Sequence, residues 1–229
     1  MLKPKKKITK REIKEDKLVT TYFELRQWID QNRKRVSSVS FMVIIAAAAT
    51  WFYLNNRAAD DLNATTDLGE VMRYYDDGKF DLAIKGVPQD NIRGLEQIVS
   101  DYGSTPSGEL AKLYLGNCYF AEGQIDKALT IYKDTDISDK SIGASVQAGI
   151  AACYEAKGNH EEAARYYEGA ASADVKNFHT AENLYHAAEN YALAGSKDKA
   201  SDLLKRLKRE FPLSSYTREA DRLSPMIES

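Results

Sequence analysis

The residues of this 229-residue chain singled out by type as candidates for metal or thiol chemistry are three histidines, His160, His179 and His186, and two cysteines, Cys118 and Cys153. His179 and His186 stand seven apart, a spacing that can share one helix face, but the sequence sets no acidic or sulfur ligand convincingly beside them. Surface positions are expected for His179 and His186, and the three histidines are too few and too separated to suggest a metal site. Cys118 and Cys153 are 35 residues apart, and each immediately precedes a tyrosine. Equivalent points on neighbouring helical hairpins lie about 10 Å apart, beyond disulfide reach, so both read as small buried packing residues. The alternative, a redox pair, would show as a mobility shift under non-reducing conditions. The chain has no Walker A sequence, no dinucleotide fingerprint and no HExxH. The expectation is a protein that is not an enzyme and takes no cofactor.

The elements that would carry such residues are announced by a repeat. Four times a tyrosine is followed four residues later by glycine and five residues after that by alanine: Tyr74/Gly78/Ala83, Tyr119/Gly123/Ala128, Tyr154/Gly158/Ala163 and Tyr191/Gly195/Ala200. The last three copies are 35 and 37 residues apart, and the first stands 45 residues before the second. A period in the mid-thirties between helix-forming stretches specifies stacked helical hairpins. In the second copy, Leu110, Leu113, Leu115 and Tyr119 predict a helix over 106–121, ended by Gly123. Ile125, Ala128, Leu129 and Tyr132 then face inward from the following helix. Gly116 and Ala128 are expected to let the two helices approach closely, with Tyr119 and Tyr132 filling the space beside them. The competing reading is an ordinary helical bundle whose spacing is accidental.

This pattern resembles the tetratricopeptide repeat: a small residue, an aromatic, a glycine turn, an alanine, an aromatic and, in the last copy, the closing Pro212. The resemblance covers about residues 62 to 228. The first copy departs after Ala83, where about ten extra residues surround Gly86-Val87-Pro88-Gln89-Asp90. A break in the helix is expected there, followed by a second helical piece from Ile92 to Tyr102. The fold class is all-α: a single transmembrane helix, then a TPR-like α-solenoid of about four hairpins closed by a capping helix near 214–227.

In tetratricopeptide arrays the first helix of each hairpin lines the concave face, so the resemblance also implies a groove. Its positions here are Leu110, Leu113, Asn117 and Phe120, then Ser145, Ala148, Ala152 and Glu155, then Glu182, Tyr185, Glu189 and Leu193. The residues that clamp a peptide carboxylate in some relatives are missing, apart from Asn117. Glu155, Glu182 and Glu189 beside Leu113, Phe120 and Tyr185 would instead suit an apolar or basic segment. The alternative is a solvated acidic face with no ligand.

From Val36 to Asn56 run 21 residues without a charge. As a helix that is about 31 Å, enough to cross a hydrocarbon core. Trp51, Phe52 and Tyr53 stand at its far end, where amphipathic rings favour the interface. A buried helix of a soluble protein is the alternative, and Ser37, Ser38 and Ser40 soften the run; a cleaved signal is disfavoured by the charged segment before it. Residues 1–35 hold 12 Lys/Arg against 5 Asp/Glu, net +7, and the remainder holds 20 against 29, net −9. The near-neutral total of −2 thus conceals two oppositely charged parts. The positive-inside rule places the N-terminus in the cytoplasm and the repeats across the membrane, the periplasm in a bacterium with two membranes. The expected division is a cytoplasmic tail over 1–35, a span over 36–56 in the lipid bilayer, and a solenoid over 57–229.

Within the tail, residues 1–7 are basic, and Leu18, Tyr22, Leu25 and Ile29, with Trp28 beside them, predict an amphipathic helix over 12–32. A plain topogenic anchor is the alternative. Nothing accompanies the basic residues that would stack on or read bases, so nucleic acid is not expected as a partner.

This layout resembles the ancillary translocon-subunit family often called YfgM-like, with Phe23, Trp28 and Arg33-Lys34-Arg35 entering the span and Trp51-Phe52-Tyr53-Leu54 leaving it. The resemblance implies protein partners: a secretion channel, periplasmic chaperones and the newly exported chains passed between them. The repeats are clearer here than in that family's best-known members. Thr105-Pro106-Ser107-Gly108 and 211–216 also resemble linkers of TolA-binding proteins and outer-membrane assembly lipoproteins. Those groups usually carry a cleaved signal or a lipid anchor, which this sequence does not show. A structural or assembly subunit of a larger membrane or cell-envelope complex is the runner-up function.

Overall fold

The computed structural model describes residues 10–136, 138–173 and 179–228, with side chains from residue 19 onward except 226 and 228. The basic residues expected to form a tail at 1–7 lie outside them, as does the side chain of Leu18. The chain divides into two units, 1–56 and 57–229. Helix α1 (Lys10–Gln31) belongs to the first, and helix α2 (Arg33–Asp76) begins in the first and ends in the second.

In the first unit, most of the apolar side chains described are exposed. Phe41, Met42, Val43, Ile44 and Ile45, then Trp51, Phe52, Tyr53 and Leu54, are all exposed. The helix that holds them is long and apolar enough to cross a membrane, and none of its apolar window is buried. Helix α1 covers all but the last residue of the stretch over 12–32 for which an amphipathic helix is expected. Tyr22, Leu25 and Ile29, three or four residues apart, share one side of it and are exposed, as are Val19, Phe23 and Trp28.

The second unit is built from hairpins whose turns share one backbone pattern. Gly78, Gly123, Gly158 and Gly195 have φ of +71°, +73°, +73° and +81°, the left-handed conformation that ends a helix without steric cost to glycine. The next residue, Lys79, Gln124, Asn159 or Ser196, donates its N–H to the carbonyl of the repeat tyrosine at 2.8–2.9 Å. Its own carbonyl then accepts from the N–H of the repeat alanine at 3.0–3.1 Å, opening the next helix. The four alanines, Ala83, Ala128, Ala163 and Ala200, are completely buried. The tyrosine–glycine–alanine spacing is thus the signature of a Schellman stop fused to a helix start.

The hairpins pair α2 with α3 (Phe80–Lys85), α5 (Pro106–Ala121) with α6 (Ile125–Asp134), α7 (Lys140–Ala156) with α8 (His160–Ala173), and α9 (Thr180–Leu193) with α10 (Lys197–Glu210). Helix α11 (Ser215–Glu228) caps the last pair by burying Ala220 and Ile227 against it, as the exposed end of a solenoid requires.

The extra residues of the first copy differ from expectation. After α3, Gly86–Val87 (β1) and Ile92–Arg93 (β2) pair antiparallel around a single 3-10 turn at Pro88–Asp90, with Asn91 left-handed at φ +58°. The following helix, α4 (Leu95–Tyr102), therefore starts three residues later than Ile92. A Cβ on Gly86 or Gly94 would fall 2.4 Å from backbone across this ribbon, so neither site admits a side chain.

Gly116 also plays a different part from the one expected. A Cβ there would fall 2.5 Å from the ring of Tyr132, and a Cβ on Gly149 of α7 would fall 2.5 Å from the same ring. The glycines admit an aromatic ring from α6 rather than a close approach of two backbones. Ring and glycines lock two consecutive hairpins together.

Candidate functional site: a groove along α5, α7 and α9

A groove of about 510 Å³ runs along the first helices of the hairpins. Leu113, Asn117 and Phe120 come from α5, Ser145, Ala148 and Ala152 from α7, and Glu182 from α9, with Tyr132 and Tyr167 reaching in from the second helices. The positions carried over from the repeat register fall here because residues three or four apart on each first helix share a face. α7 contributes small residues to the lining, α5 the apolar Leu113 and Phe120, and α9 the carboxylate of Glu182. Burial works to raise the Glu182 pKa, but hydrogen bonds from His179 and Tyr216 outweigh it and hold the carboxylate below its usual range. His179 Nδ1 stands 2.8 Å from Glu182 Oε2.

Other expected groove residues lie elsewhere. Leu110 is half-buried against the apolar core. Tyr185 and Glu189, with Leu193, line a second recess of about 450 Å³, where Glu219, Arg222 and Leu223 of α11 form the far wall. The capping helix packs beside α9 and divides what the repeat register predicts as one surface. Tyr185 also contacts Tyr216 of α11, with ring centroids 5.7 Å apart, so it holds the cap as well as facing the recess.

Asn117, the one residue shared with the carboxylate clamp of some relatives, has a structural task. Its Oδ1 accepts from Tyr132 Oη at 2.6 Å, and its Nδ2 donates to Tyr75 Oη at 3.1 Å. The amide thus bridges α2, α5 and α6.

Of the two histidines expected at the surface, His179 keeps that place and His186 does not. His179 is exposed, and its partner is Glu182. His160 Nδ1 lies 2.8 Å from Oδ1 of Asn190, which is fully buried. His186 is half-buried, with its ring 5.3 Å from that of Tyr167 and 6.1 Å from that of Tyr216. Glu155 and Glu189 both converge on it, which the sequence does not disclose for Glu155 because that residue comes from the preceding hairpin. Glu189 sits 3.3 Å from His186 Nδ1, and this hydrogen bond raises the histidine's pKa and lowers that of Glu189. Glu155 accepts from Tyr167 Oη at 2.9 Å.

Cys118 and Cys153 are free and fully buried. Burial pushes their thiol pKa values up to about 12 and about 11, far from the range of a reactive thiolate.

Comparison with known proteins agrees with this architecture. Residues 110–135 and 182–214 match the tetratricopeptide repeat family model. Two crystal structures of the Podosopora anserina putative kinesin light chain, with nearly identical TPR-like repeats, superpose with TM-scores of 0.52 and 0.50 at 18% identity. Each alignment covers 72% of this chain and 93% of the other. No curated protein matches the chain. The chain is an all-α protein that carries tetratricopeptide repeats in a TPR-like solenoid.

Proposed function

We propose that this protein is a membrane-anchored adaptor whose α5–α7–α9 groove binds a protein segment carrying apolar and basic residues. The observation that carries the reading is the groove itself, where Leu113 and Phe120 offer an apolar wall and Glu182 a carboxylate held ionised. A partner's Lys or Arg beside an apolar residue would satisfy both walls.

The anchor is the apolar stretch 36–56, exposed along α2 and long enough to span. With Arg33, Lys34 and Arg35 on one side and Asp60 and Asp61 beyond the other, the N-terminus lies in the cytoplasm and residues 57–229 lie outside it. A solenoid tethered at the outer face of a bacterial inner membrane suits the reception of chains leaving a secretion channel and their hand-over to periplasmic chaperones. The resemblance in layout to the ancillary translocon subunits supports that role.

Affinity purification of the full chain in mild detergent tests the reading, with Phe120→Ala as the groove variant. Secretion-channel and chaperone subunits should co-purify with the wild type and be depleted at least severalfold by the variant. One fixed stoichiometric complex, unaffected by Phe120→Ala, would make the chain an assembly subunit instead. Tyr185→Ala is a poorer probe, because it also loosens α11.

A further inference from the structure

We propose that Glu155, His186 and Glu189 form a site for one divalent transition-metal ion of the Zn²⁺ class, held between α7 and α9. One donor atom from each of the three lies within 4.8 Å of the others, and all three side chains are half-buried. Direct bonds to zinc of about 2.0–2.2 Å place neighbouring ligand atoms roughly 3.3 Å apart, so side-chain rotations that close the gaps by up to about 1.5 Å complete the geometry.

Three features separate this cluster from an ordinary surface ion pair. First, the donors come from two helices: Glu155 from α7, His186 and Glu189 one turn apart on α9. Second, the ligands have their own supports. Tyr167 Oη donates to Glu155 Oε2 at 2.9 Å, and the Tyr167 ring lies 5.3 Å from the imidazole at an interplanar angle of 30°. Such outer partners orient ligating groups ahead of binding. Third, two carboxylates meet one imidazole, and among the described residues no Lys or Arg forms an ion pair with Glu155 or Glu189. The cluster therefore keeps a surplus of negative charge that a dication would neutralise.

The donor set selects the metal. An imidazole with two carboxylates suits Zn²⁺ and its first-row neighbours, whereas Mg²⁺ and Ca²⁺ favour oxygen-only shells. Three protein donors leave a coordination position for water, or for a group from a bound partner. A metal there would tie α7 to α9.

Equilibrium dialysis of the full chain in detergent against Zn²⁺ at neutral pH, with elemental analysis, tests the site. One equivalent per chain is expected, with affinity more than tenfold weaker in Glu155→Gln, His186→Gln and Glu189→Gln and unchanged in Glu162→Gln, an exposed acid on α8. Far-UV circular dichroism identifies any variant that loses its helices. Glu155→Gln and Glu189→Gln, nearly isosteric, decide the matter if His186→Gln unfolds. No saturable binding to the wild type, or undiminished binding in the folded variants, overturns the proposal.

Discussion

The ring of Tyr132 occupies the space that a Cβ on Gly149 would fill, with its Cζ 2.5 Å from that position. Tyr132 is nearly completely buried, and Gly116 bounds the ring from α5 in the same way. One side chain thus keys the second hairpin to the third. Its hydroxyl donates to Asn117, so the ring is fixed in both position and rotation.

Gly149→Ala and Gly116→Ala should each destabilise the solenoid by about 1–3 kcal/mol, the usual cost of overpacking a site that cannot relax. Tyr132→Phe keeps the ring and removes only its hydrogen bond, and should cost about 1 kcal/mol. Urea unfolding followed by circular dichroism measures both. An alanine variant as stable as the wild type would show that the ring has room to move.

The four turn glycines make a contrasting prediction. A Cβ on Gly78, Gly123, Gly158 or Gly195 would meet nothing within 4 Å, so substitution there carries a backbone cost alone. Gly158→Ala should lose about 1–2 kcal/mol, the cost of a left-handed residue with a Cβ. Gly158→Asn should lose less, because asparagine tolerates that conformation. Equal losses for the two would place the cost in packing instead.

Acid should weaken the solenoid through Asp61. Its carboxylate accepts the Ser107 N–H at 2.8 Å, in the first turn of α5, and this bond lowers its pKa from 3.8. A carboxylate whose folded pKa lies below its unfolded value stabilises above the unfolded pKa and loses that contribution as pH falls through the folded one. The wild type should therefore lose stability below about pH 4, and Asp61→Asn should show a shallower fall between pH 4 and 3. Matching acid profiles would remove Asp61 from the account.

The thiols should be inert in the folded protein. Cys118 and Cys153 should react with an aromatic disulfide reagent only after denaturation, and non-reducing gels should show no intramolecular bridge. Reaction of either thiol at the wild-type rate of a free cysteine would place it at the surface.

The repeat was legible because it is local. Tyr, Gly and Ala keep their spacing since the carbonyl of Tyr154, the φ of Gly158 and the N–H of Ala163 belong to one short turn. The ribbon at 86–93 was not, because two paired residues per strand are too few for alternation to show. Non-local packing hid more. The sequence places His186 and Glu189 one turn apart, but only the stacking of hairpins brings Glu155 to them. Asn117 looked free for a ligand until Tyr75 and Tyr132, from other helices, took both ends of its amide. Tyr185 and Glu189 left the main groove because α11 packs against α9, a tertiary choice that repeat register does not encode.

If the α5–α7–α9 groove is the surface that meets a protein partner, a group placed in its lining must reach that partner. Ser145 tests it most directly, since it lines the groove and is exposed. A photo-crosslinking amino acid placed there, in full-length protein in its native membrane, should yield discrete adducts, whereas the same group at exposed Lys205 on α10 should yield none. Adducts from Lys205 with none from Ser145 would contradict the claim and move the binding surface to the outer helices.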